Sequence, residues 1–410
     1  MSEASHALLS PSAAHRWLVC PGSVAMEAPL PNESSDFARE GTCAHIIAAM
    51  CLREGAAAAD FIGPHEVDGQ PIHFTAEMAE PVQCYIDIVR QYADGHELLV
   101  EQRVPIGHVT GETNAEGTSD AIVVTADGEE VIVIDLKFGR GVLVSAENNK
   151  QGQLYALGAL ELVMLLGYSP KRVRIVIHQP RVSTAPSEWD CTVAELRKFA
   201  EHAKERATHA LNVLRGEHPE AVIHHLRPGE EQCRFCKAKA ICPKLAQHAL
   251  DTVAGDFVDV SDIKLGDPIG QVAASDNERI ATLLPHLDLI EDWCSAVRKH
   301  AHAELLAGNE VPGYKLVLGK RGSRAWTSED EAEAALKSMR LKADEMYTFK
   351  VISPTSAEKL LAKESPRRWA KLQPLITQAE GKPAVAPVND PRPAHVVAPV
   401  VEDFEDCDLV

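Results

Sequence analysis

The sequence predicts an α/β protein in which a central mixed sheet is flanked by helices. Three runs rich in β-branched residues predict strands at 97–106, 117–126 and 130–138. The last two are joined by a turn signal at Asp127-Gly128, as in an antiparallel pair. Helical patterns precede the three runs, and a further helical pattern and a fourth β-branched run at 172–180 follow them. This sequence of elements is typical of an α/β core with mixed strand directions.

The first hundred residues predict helices. A Ser-Pro start opens a helical segment at 10–20, and an alanine-rich amphipathic pattern at 40–55 predicts a helix that ends at Gly55. Residues 75–95 predict another helix, in which Pro81 is acceptable only near the first turn, because proline lacks the N–H that an interior position donates.

Two helices are predicted around the fourth strand. Residues 151–167 are apolar and short enough for a buried helix rather than a membrane span. Thr192 and Glu195 have capping-box spacing and predict the start of a helix that runs to about Gly216.

The pattern predicts a first domain over 1–250, a mainly helical accessory region over 251–380 and a flexible tail over 381–410. Within the accessory region we expect helices near 277–308, 328–341 and 355–379, and a hairpin at 313–326. The tail is rich in proline, alanine and valine and ends in an acidic tip, a composition that cannot form a packed core.

A net charge of −19 argues against a protein that coats nucleic acid along its whole surface. Between residues 134 and 182, however, seven basic residues outnumber three acidic ones. This local excess predicts a phosphate-binding strip, and its basic members are Lys137, Arg140, Lys150, Lys171, Arg172, Arg174 and Arg181.

The sequence indicates a cytoplasmic protein. It has no secretion signal at its start and no apolar run long enough to span a membrane, so we expect no membrane partner. In a reducing compartment its ten cysteines are expected to stay free of disulfides.

Four cysteines have a spacing suited to an inorganic centre. Cys233, Cys236 and Cys242 form a Cys-x2-Cys-x5-Cys pattern, and Cys20 lies more than two hundred residues earlier. The Pro-Gly that follows Cys20 predicts the end of regular structure and an outward-facing thiol. Four thiolates can hold Zn²⁺ or a [4Fe–4S] cluster, and zinc sites more often show two Cys-x2-Cys pairs than the one present here. The other six cysteines are expected to be core or incidental thiols.

An acidic pair and a lysine predict a catalytic metal site. Asp120 is expected to open one strand and Asp135 to lie near the end of the next, so that the two meet side by side. Lys137 follows Asp135 by two residues and shares its strand face. Carboxylates suit Mg²⁺ or Mn²⁺, which activate water, and an ammonium group offsets developing negative charge. A surface ion pair is the alternative reading of Asp-x-Lys.

Four further residues bear on that choice. Glu101 lies on the preceding strand and is expected to orient the lysine or extend the metal shell. His45, on a helix, can complete the coordination, although a lone helical histidine is also typical of a core or surface position. Gln151 and Tyr155 are four apart on one helical face and can hold Lys137 or the DNA backbone, while packing alone also explains Tyr155.

The ordered residues over about 10–245 resemble the RecB-type branch of the PD-(D/E)xK nucleases. The cysteine pattern resembles its iron–sulfur subgroup, which includes AddB-type helicase-nucleases and CRISPR-adaptation exonucleases. The stretch beyond resembles the C-terminal part of a phage- and prophage-borne family. The matching residues are His45, Glu101, Gly117-Thr-Ser-Asp120, Asp135-Leu-Lys137, Gln151-x3-Tyr155, Cys20, Cys233, Cys236 and Cys242.

The resemblance implies a restriction-endonuclease-like core closed by a [4Fe–4S] cluster on the four cysteines. It implies His45, Asp120 and Asp135 as metal ligands, Lys137 as the catalytic lysine, and Gln151 and Tyr155 as its support. The implied activity is a Mg²⁺- or Mn²⁺-dependent deoxyribonuclease. We expect an exonuclease in phage recombination, replication or host DNA degradation, active in the bacterial host cytoplasm. The alternative is a non-catalytic DNA-binding or scaffold protein that uses a nuclease fold.

Several residues are expected to contact partners. Phe235 has two readings, stacking on a base or packing in the core. The acidic tip at 402–410 can dock on phage recombination or replication proteins or only solvate the tail. The basic residues expected to contact DNA are Arg140, Lys150, Arg234, Lys237 and Lys239.

Overall fold

The computed structural model describes residues 7–31, 36–141, 143–218, 220–254, 277–315 and short stretches within 358–372. The chain divides into two compact units, residues 1–317 and 318–410. The expected helix at 328–341, most of the expected hairpin at 313–326 and the tail at 381–410 lie outside the described residues.

The described strands form a hairpin and a five-stranded sheet. The hairpin consists of β1 (Gly63–Val67) and β2 (Gln70–Phe74). The sheet has the order β3-β4-β5-β6-β7, and its members are β3 (Glu97–Pro105), β4 (Glu116–Val124), β5 (Glu130–Leu136), β6 (Arg172–His178) and β7 (Ser187–Thr192). Strands β5 and β6 pair in parallel and the other neighbours pair antiparallel, so the predicted mixed sheet is confirmed.

Helices lie before, between and after these strands. They are α1 (Ala14–Trp17), α2 (Gly22–Glu27), α3 (Asp36–Glu54), α4 (Ala76–Ala93), α5 (Gly107–Thr110), α6 (Lys150–Leu165), α7 (Val193–Arg215), α8 (Glu230–Arg234), α9 (Pro243–Ala254), α10 (Asn277–Leu306) and α11 (Pro366–Leu372). None of the helices in the described part of the chain is both long and apolar enough to cross a membrane.

The sheet is covered on both faces. Ile122 and Val133 contribute to a core cluster with α6 and α7, whereas Val123 and Ile134 contribute to a second cluster with α3 and α4. Neighbouring strand residues point to opposite faces, which explains this division. All seven residues of β5 are buried. The predicted α/β class, with helices flanking a mixed sheet, is therefore confirmed.

The predicted capping box is confirmed at the start of α7. Thr192 Oγ1 accepts a hydrogen bond from the Glu195 amide at 3.2 Å, and Glu195 Oε2 accepts one from the Thr192 amide at 2.8 Å. The helix ends at Gly216, whose φ of 70° is left-handed. Pro81 was expected near the first turn of its helix. It is instead the sixth residue of α4 and so lies beyond that turn.

Helix α10 packs beside the late cysteines. Leu289 forms a small apolar cluster with Cys233 and Leu245, and Trp293 and Cys242 pack against it. The predicted helix at 277–308 is thus confirmed, and it belongs to the same compact unit as the sheet.

Candidate functional site

The two aspartates meet on neighbouring strands. Asp120 lies in the middle of β4, so the expectation that it opens the strand is wrong. In the antiparallel register Ala121 faces Ile134, which brings Asp120 beside the end of β5. Asp120 Oδ2 accepts a hydrogen bond from the Leu136 amide at 2.7 Å. The position of this carboxylate is therefore fixed by the backbone of the neighbouring strand.

A histidine and a glutamate complete a group of possible metal ligands. His45, on α3, places Nδ1 2.9 Å from Asp120 Oδ1. One ligand atom from each of His45, Glu101 and Asp120 lies within 4.8 Å of the other two. Asp135 is outside this group. Of the two roles expected for Glu101, the structure supports the extension of a metal shell.

Glu101 has an unusual backbone. Its φ is 49°, in the left-handed region, although it lies inside β3 between the paired residues Val100 and Gln102. Such a conformation costs a non-glycine residue about 1–3 kcal/mol and persists only where surrounding structure imposes it. The sequence carries no signal for this strain.

Lys137 is held by a polar network just beyond β5. Its Nζ lies 2.9 Å from Asp135 Oδ2 and donates a hydrogen bond to Gln151 Oε1 at 2.7 Å. Gln151 Nε2 donates to Tyr155 Oη at 3.2 Å and, more weakly, to Asp135 Oδ1 at 3.4 Å. The Lys137 amide donates to the carbonyl oxygen of His178 at 2.8 Å. The predicted shared face of Gln151 and Tyr155 is confirmed. Gln151 contacts the lysine directly, and Tyr155 contacts Gln151.

Burial and neighbouring charge shift the pKa values in the site. Burial and the Asp120 carboxylate raise the pKa of Glu101. Burial raises the pKa of Asp135, which Lys137 only partly offsets. Burial alone would lower the pKa of His45, but the carboxylates of Asp120 and Asp135 leave it raised. Asp120 therefore opposes the ionisation of Glu101 and Asp135, and a cation bound among them would relieve that repulsion.

Sequence reasoning missed a tyrosine that lies beside β5. Tyr85, on α4, is fully buried. Its hydroxyl group donates a long hydrogen bond of 3.5 Å to the carbonyl oxygen of Ile134. Its ring stacks on that of His178 with centroids 6.3 Å apart. The apolar spacing of Val82, Tyr85 and Val89 on α4 is the only sequence signal for this position.

The four predicted cysteines line one cavity. Cys20 is buried, so the expected outward-facing thiol is wrong. The physical reason is that Pro-Gly starts α2 instead of an exposed turn, and Gly22 packs against Leu226, whose Cδ2 would lie 2.9 Å from an added Cβ. Among the other cysteines, Cys43, Cys51 and Cys191 are buried and unpaired, and Cys407 lies outside the described residues.

Backbone amides point at two of the cavity's sulfurs. The Arg227 amide donates to Cys20 Sγ at 3.2 Å, and the Gly229 amide to Cys233 Sγ at 3.5 Å. Burial raises the pKa of Cys20 and Cys233 and raises that of Cys236 to about 12. These three thiols are therefore protonated at neutral pH, and binding of a metal would release protons.

The predicted phosphate-binding strip is wrong for four of its seven members. In the parallel register of β5 and β6, Glu130 lies beside Arg172 and Asp135 lies beside Ile177. The start of β6 is therefore at the opposite end of the sheet from the site. Lys171, Arg172 and Arg174 lie at that far end and are paired with acids, and Arg181 is paired with Glu40. Their clustering in sequence is offset by acids on adjacent strands and on α3, which a local charge count does not reveal.

The residues expected to contact DNA differ in exposure. Arg140, Arg234 and Lys237 are exposed. Lys150 and Lys239 are half-buried, and their ammonium groups lie 3.4 Å from Glu231 and 3.3 Å from Asp292, respectively. The Lys150–Glu231 pair joins the start of α6 to the segment that carries Cys233, Cys236 and Cys242, here called the cysteine segment.

Phe235 lies on the surface of the cysteine segment. Its side chain is 71% exposed, so the core reading of this residue is wrong. Its ring makes an edge contact with that of His15, with centroids 6.3 Å apart.

A comparison with known families matches most of the chain. A family model described as "Protein of unknown function (DUF2800)" matches residues 6–393 of the 410. The match therefore includes the sheet, both clusters of candidate ligands and helix α10. The chain belongs to the DUF2800 family.

Proposed function

We propose that this protein is a Mg²⁺- or Mn²⁺-dependent deoxyribonuclease with its catalytic centre at the β4–β5 edge. One observation carries the proposal. Side chains from three strands and two helices converge there, although they are spread over more than a hundred residues of sequence, and they are His45, Glu101, Asp120, Asp135, Lys137, Gln151 and Tyr155. A surface ion pair does not account for this set, because Asp135 is only 5% exposed.

His45, Glu101 and Asp120 would hold the metal, with Asp135 beside them. Mg²⁺ takes oxygen ligands almost exclusively, so the imidazole makes Mn²⁺ the better fit. When bound, such a cation lowers the pKa of a coordinated water and neutralises charge on the phosphodiester.

The chain's own groups supply the rest of the chemistry. Asp135 and Gln151 fix the Lys137 ammonium, which is placed to stabilise the negative charge that develops on the phosphate or to position the attacking water. Because both partners are fixed by a strand and a helix, little reorganisation is needed when charge develops.

The order of these residues supports a restriction-endonuclease-like core of the RecB type. Asp120 and Asp135 come from adjacent antiparallel strands, and Gln151 and Tyr155 come from the helix of the β5–α6–β6 crossover. We extend the proposal to an exonuclease that acts in phage recombination, replication or host DNA degradation.

The four cysteines, in this proposal, hold a [4Fe–4S] cluster. Four thiolates at about 2.3 Å from a tetrahedral zinc would lie about 3.8 Å from one another. Within the described part of the chain, ligand atoms within 4.8 Å of one another form two groups of three, and neither contains a cysteine. This wider separation favours the larger cluster. Bound this way, Cys20 would tie the segment between α1 and α2 to the late cysteines and leave the catalysis to the separate acidic site.

An exposed surface near the cysteines suits a DNA strand. Arg234, Phe235 and Lys237 are all exposed on this segment, and Arg140 is exposed three residues after Lys137. Proteins that bind single-stranded DNA typically combine basic side chains along the phosphate backbone with aromatic side chains that stack on the bases. With an overall charge of −19, such contacts must be local.

A cleavage assay tests the proposal. Labelled single- and double-stranded DNA, with free or blocked ends, would be incubated with the full-length protein and Mg²⁺, Mn²⁺ or a chelator. We expect Asp135→Asn and Lys137→Ala to reduce the cleavage rate by about 10²-fold or more, since Lys137 stabilises developing charge and Asp135 fixes the lysine. Asp127→Asn and Lys171→Ala are matched controls, both exposed and distant from the site.

Undiminished cleavage by both site variants would refute the assigned centre. DNA binding without cleavage by the wild-type protein would instead support the alternative of a non-catalytic binding or scaffold protein. After anaerobic purification, about four irons per chain and a charge-transfer absorption spectrum would support the cluster. Zinc in place of iron at those cysteines would refute it.

A further inference from the structure

Three histidines outside the proposed active site form a compact cluster. His209 lies on α7, and His218 and His225 follow that helix. One nitrogen from each ring lies within 4.8 Å of the other two. The ring centroids are 5.1 Å apart for His209 and His218, 5.0 Å for His209 and His225, and 4.0 Å for His218 and His225.

The spacing of the nitrogens is close to that of a zinc site. His209 Nε2 and His225 Nδ1 are 3.0 Å apart. Imidazole nitrogens at about 2.0–2.1 Å from a tetrahedral zinc lie about 3.3–3.4 Å from each other. Only a small movement of the rings would therefore bring the pair to coordination geometry.

The other nitrogen of His225 has a carboxylate nearby. His225 is 4% exposed, and its Nε2 is buried without a hydrogen-bond partner among the described residues. This atom lies 3.9 Å from Glu220 Oε2. A histidine that binds a metal through one nitrogen commonly donates its other N–H to a carboxylate, which orients the ring. Glu220 is placed for this role.

A simple hydrogen-bonded pair of histidines explains less. It accounts for the contact between His209 and His225 but leaves His225 Nε2 unsatisfied and gives His218 no role. Burial and the neighbouring Arg206 lower the pKa of His209, and burial lowers that of His225. Both rings therefore favour the neutral form, the form that binds metals.

We propose that His209, His218 and His225 bind a zinc ion, with the fourth position open to water and Glu220 orienting His225. Neutral imidazoles suit zinc, and three of them with one open position form a known type of zinc site.

The proposed site would fix the segment that leads to the cysteine cavity. The turn Val222–His225 ends directly before Leu226 and Arg227, which line that cavity. On the other side, Arg206 of α7 donates from Nε to the carbonyl oxygen of Leu18 at 2.7 Å, close to Cys20. A zinc ion would thus link α7 to the segment whose Arg227 amide contacts Cys20 Sγ. The inference does not depend on the nuclease proposal.

Zinc content and Co²⁺ spectroscopy test the proposal on the full-length protein. We expect the wild-type protein to bind one zinc equivalent that survives Asp120→Asn, which disables the acidic site. His209→Gln and His225→Gln should lose that equivalent while keeping the far-UV circular dichroism unchanged. His224→Gln is the matched control, because His224 is exposed and adjacent in sequence but outside the cluster.

Co²⁺ titration of the zinc-free wild-type protein provides a test that does not need the variants to fold. Visible d–d bands without thiolate charge-transfer bands would support a nitrogen-ligated site. The proposal is overturned if the wild-type protein takes up neither Zn²⁺ nor Co²⁺, if thiolate bands show that the cobalt is held by cysteines, or if folded His209→Gln and His225→Gln proteins retain the zinc equivalent.

Discussion

A single added methyl group tests how closely α6 packs on β3. A Cβ at Gly158 would lie 2.8 Å from the carbonyl oxygen of Pro105 and 2.8 Å from Val104 Cβ. Both obstacles belong to the strand backbone or its first side-chain atom, so they cannot rotate away. Gly158→Ala should therefore push apart α6 and β3, and α6 is the helix that carries Gln151 and Tyr155.

The expected cost can be isolated with a second glycine. Replacing a helical glycine with alanine gains about 1 kcal/mol of helix propensity, and overpacking a core typically costs about 1–3 kcal/mol. Gly41, inside α3, has no atom within 4 Å of its Cβ position. Because both variants share the propensity gain, the difference between them should be the crowding cost of about 1–3 kcal/mol.

Urea unfolding, followed by tryptophan fluorescence and far-UV circular dichroism, measures that difference. The midpoint should rise or stay level for Gly41→Ala and should fall relative to it for Gly158→Ala, with similar slopes. An equal rise for both variants would refute the packing of α6 on β3, and with it the placement of Gln151 beside Lys137.

Three further predictions address the cap, the lysine and the cysteines. Thr192→Ala should lower the free energy of unfolding by about 1 kcal/mol in urea, and no change would contradict the capping box. Gln151→Leu should lower kcat for DNA cleavage with little change in KM, because it removes an acceptor that positions Lys137; a rise in KM alone would instead indicate a role in binding. Cys20→Ser should reduce the iron content per chain, whereas exposed Cys84→Ser should not, and equal iron in both would exclude Cys20 as a ligand.

Local patterns were sufficient for much of the fold. The β-branched runs predicted β3 to β6, and the apolar segment predicted α6. The signal is strongest for β5, in which every residue is buried. The Thr192–Glu195 box predicted the start of α7 to the residue. By contrast, β7 and the β1–β2 hairpin were missed, since their residues are largely polar and only partly buried.

Tertiary effects account for what the sequence could not predict at the site. Asp120 was assigned to the wrong place in its strand, yet the register still brought it to Asp135, because adjacent strands align over several residues. The burial of Cys20 depends on the packing of α2, and the ion pair of Arg174 depends on Asp190 of the neighbouring strand. Such effects arise between segments that are distant in sequence.

The Asp120 carboxylate is constrained on both oxygens, one by His45 and the other by the Leu136 amide. Glu101 faces this carboxylate from a left-handed backbone that a strand would ordinarily avoid. A protein that needed only stability would gain by relaxing that residue and separating the acids, because Asp120 raises the pKa of both Glu101 and Asp135. Strain and repulsion concentrated at one point are typical of a site held ready for a ligand of opposite charge. In the proposed function that ligand is a divalent cation, which suits carboxylate donors.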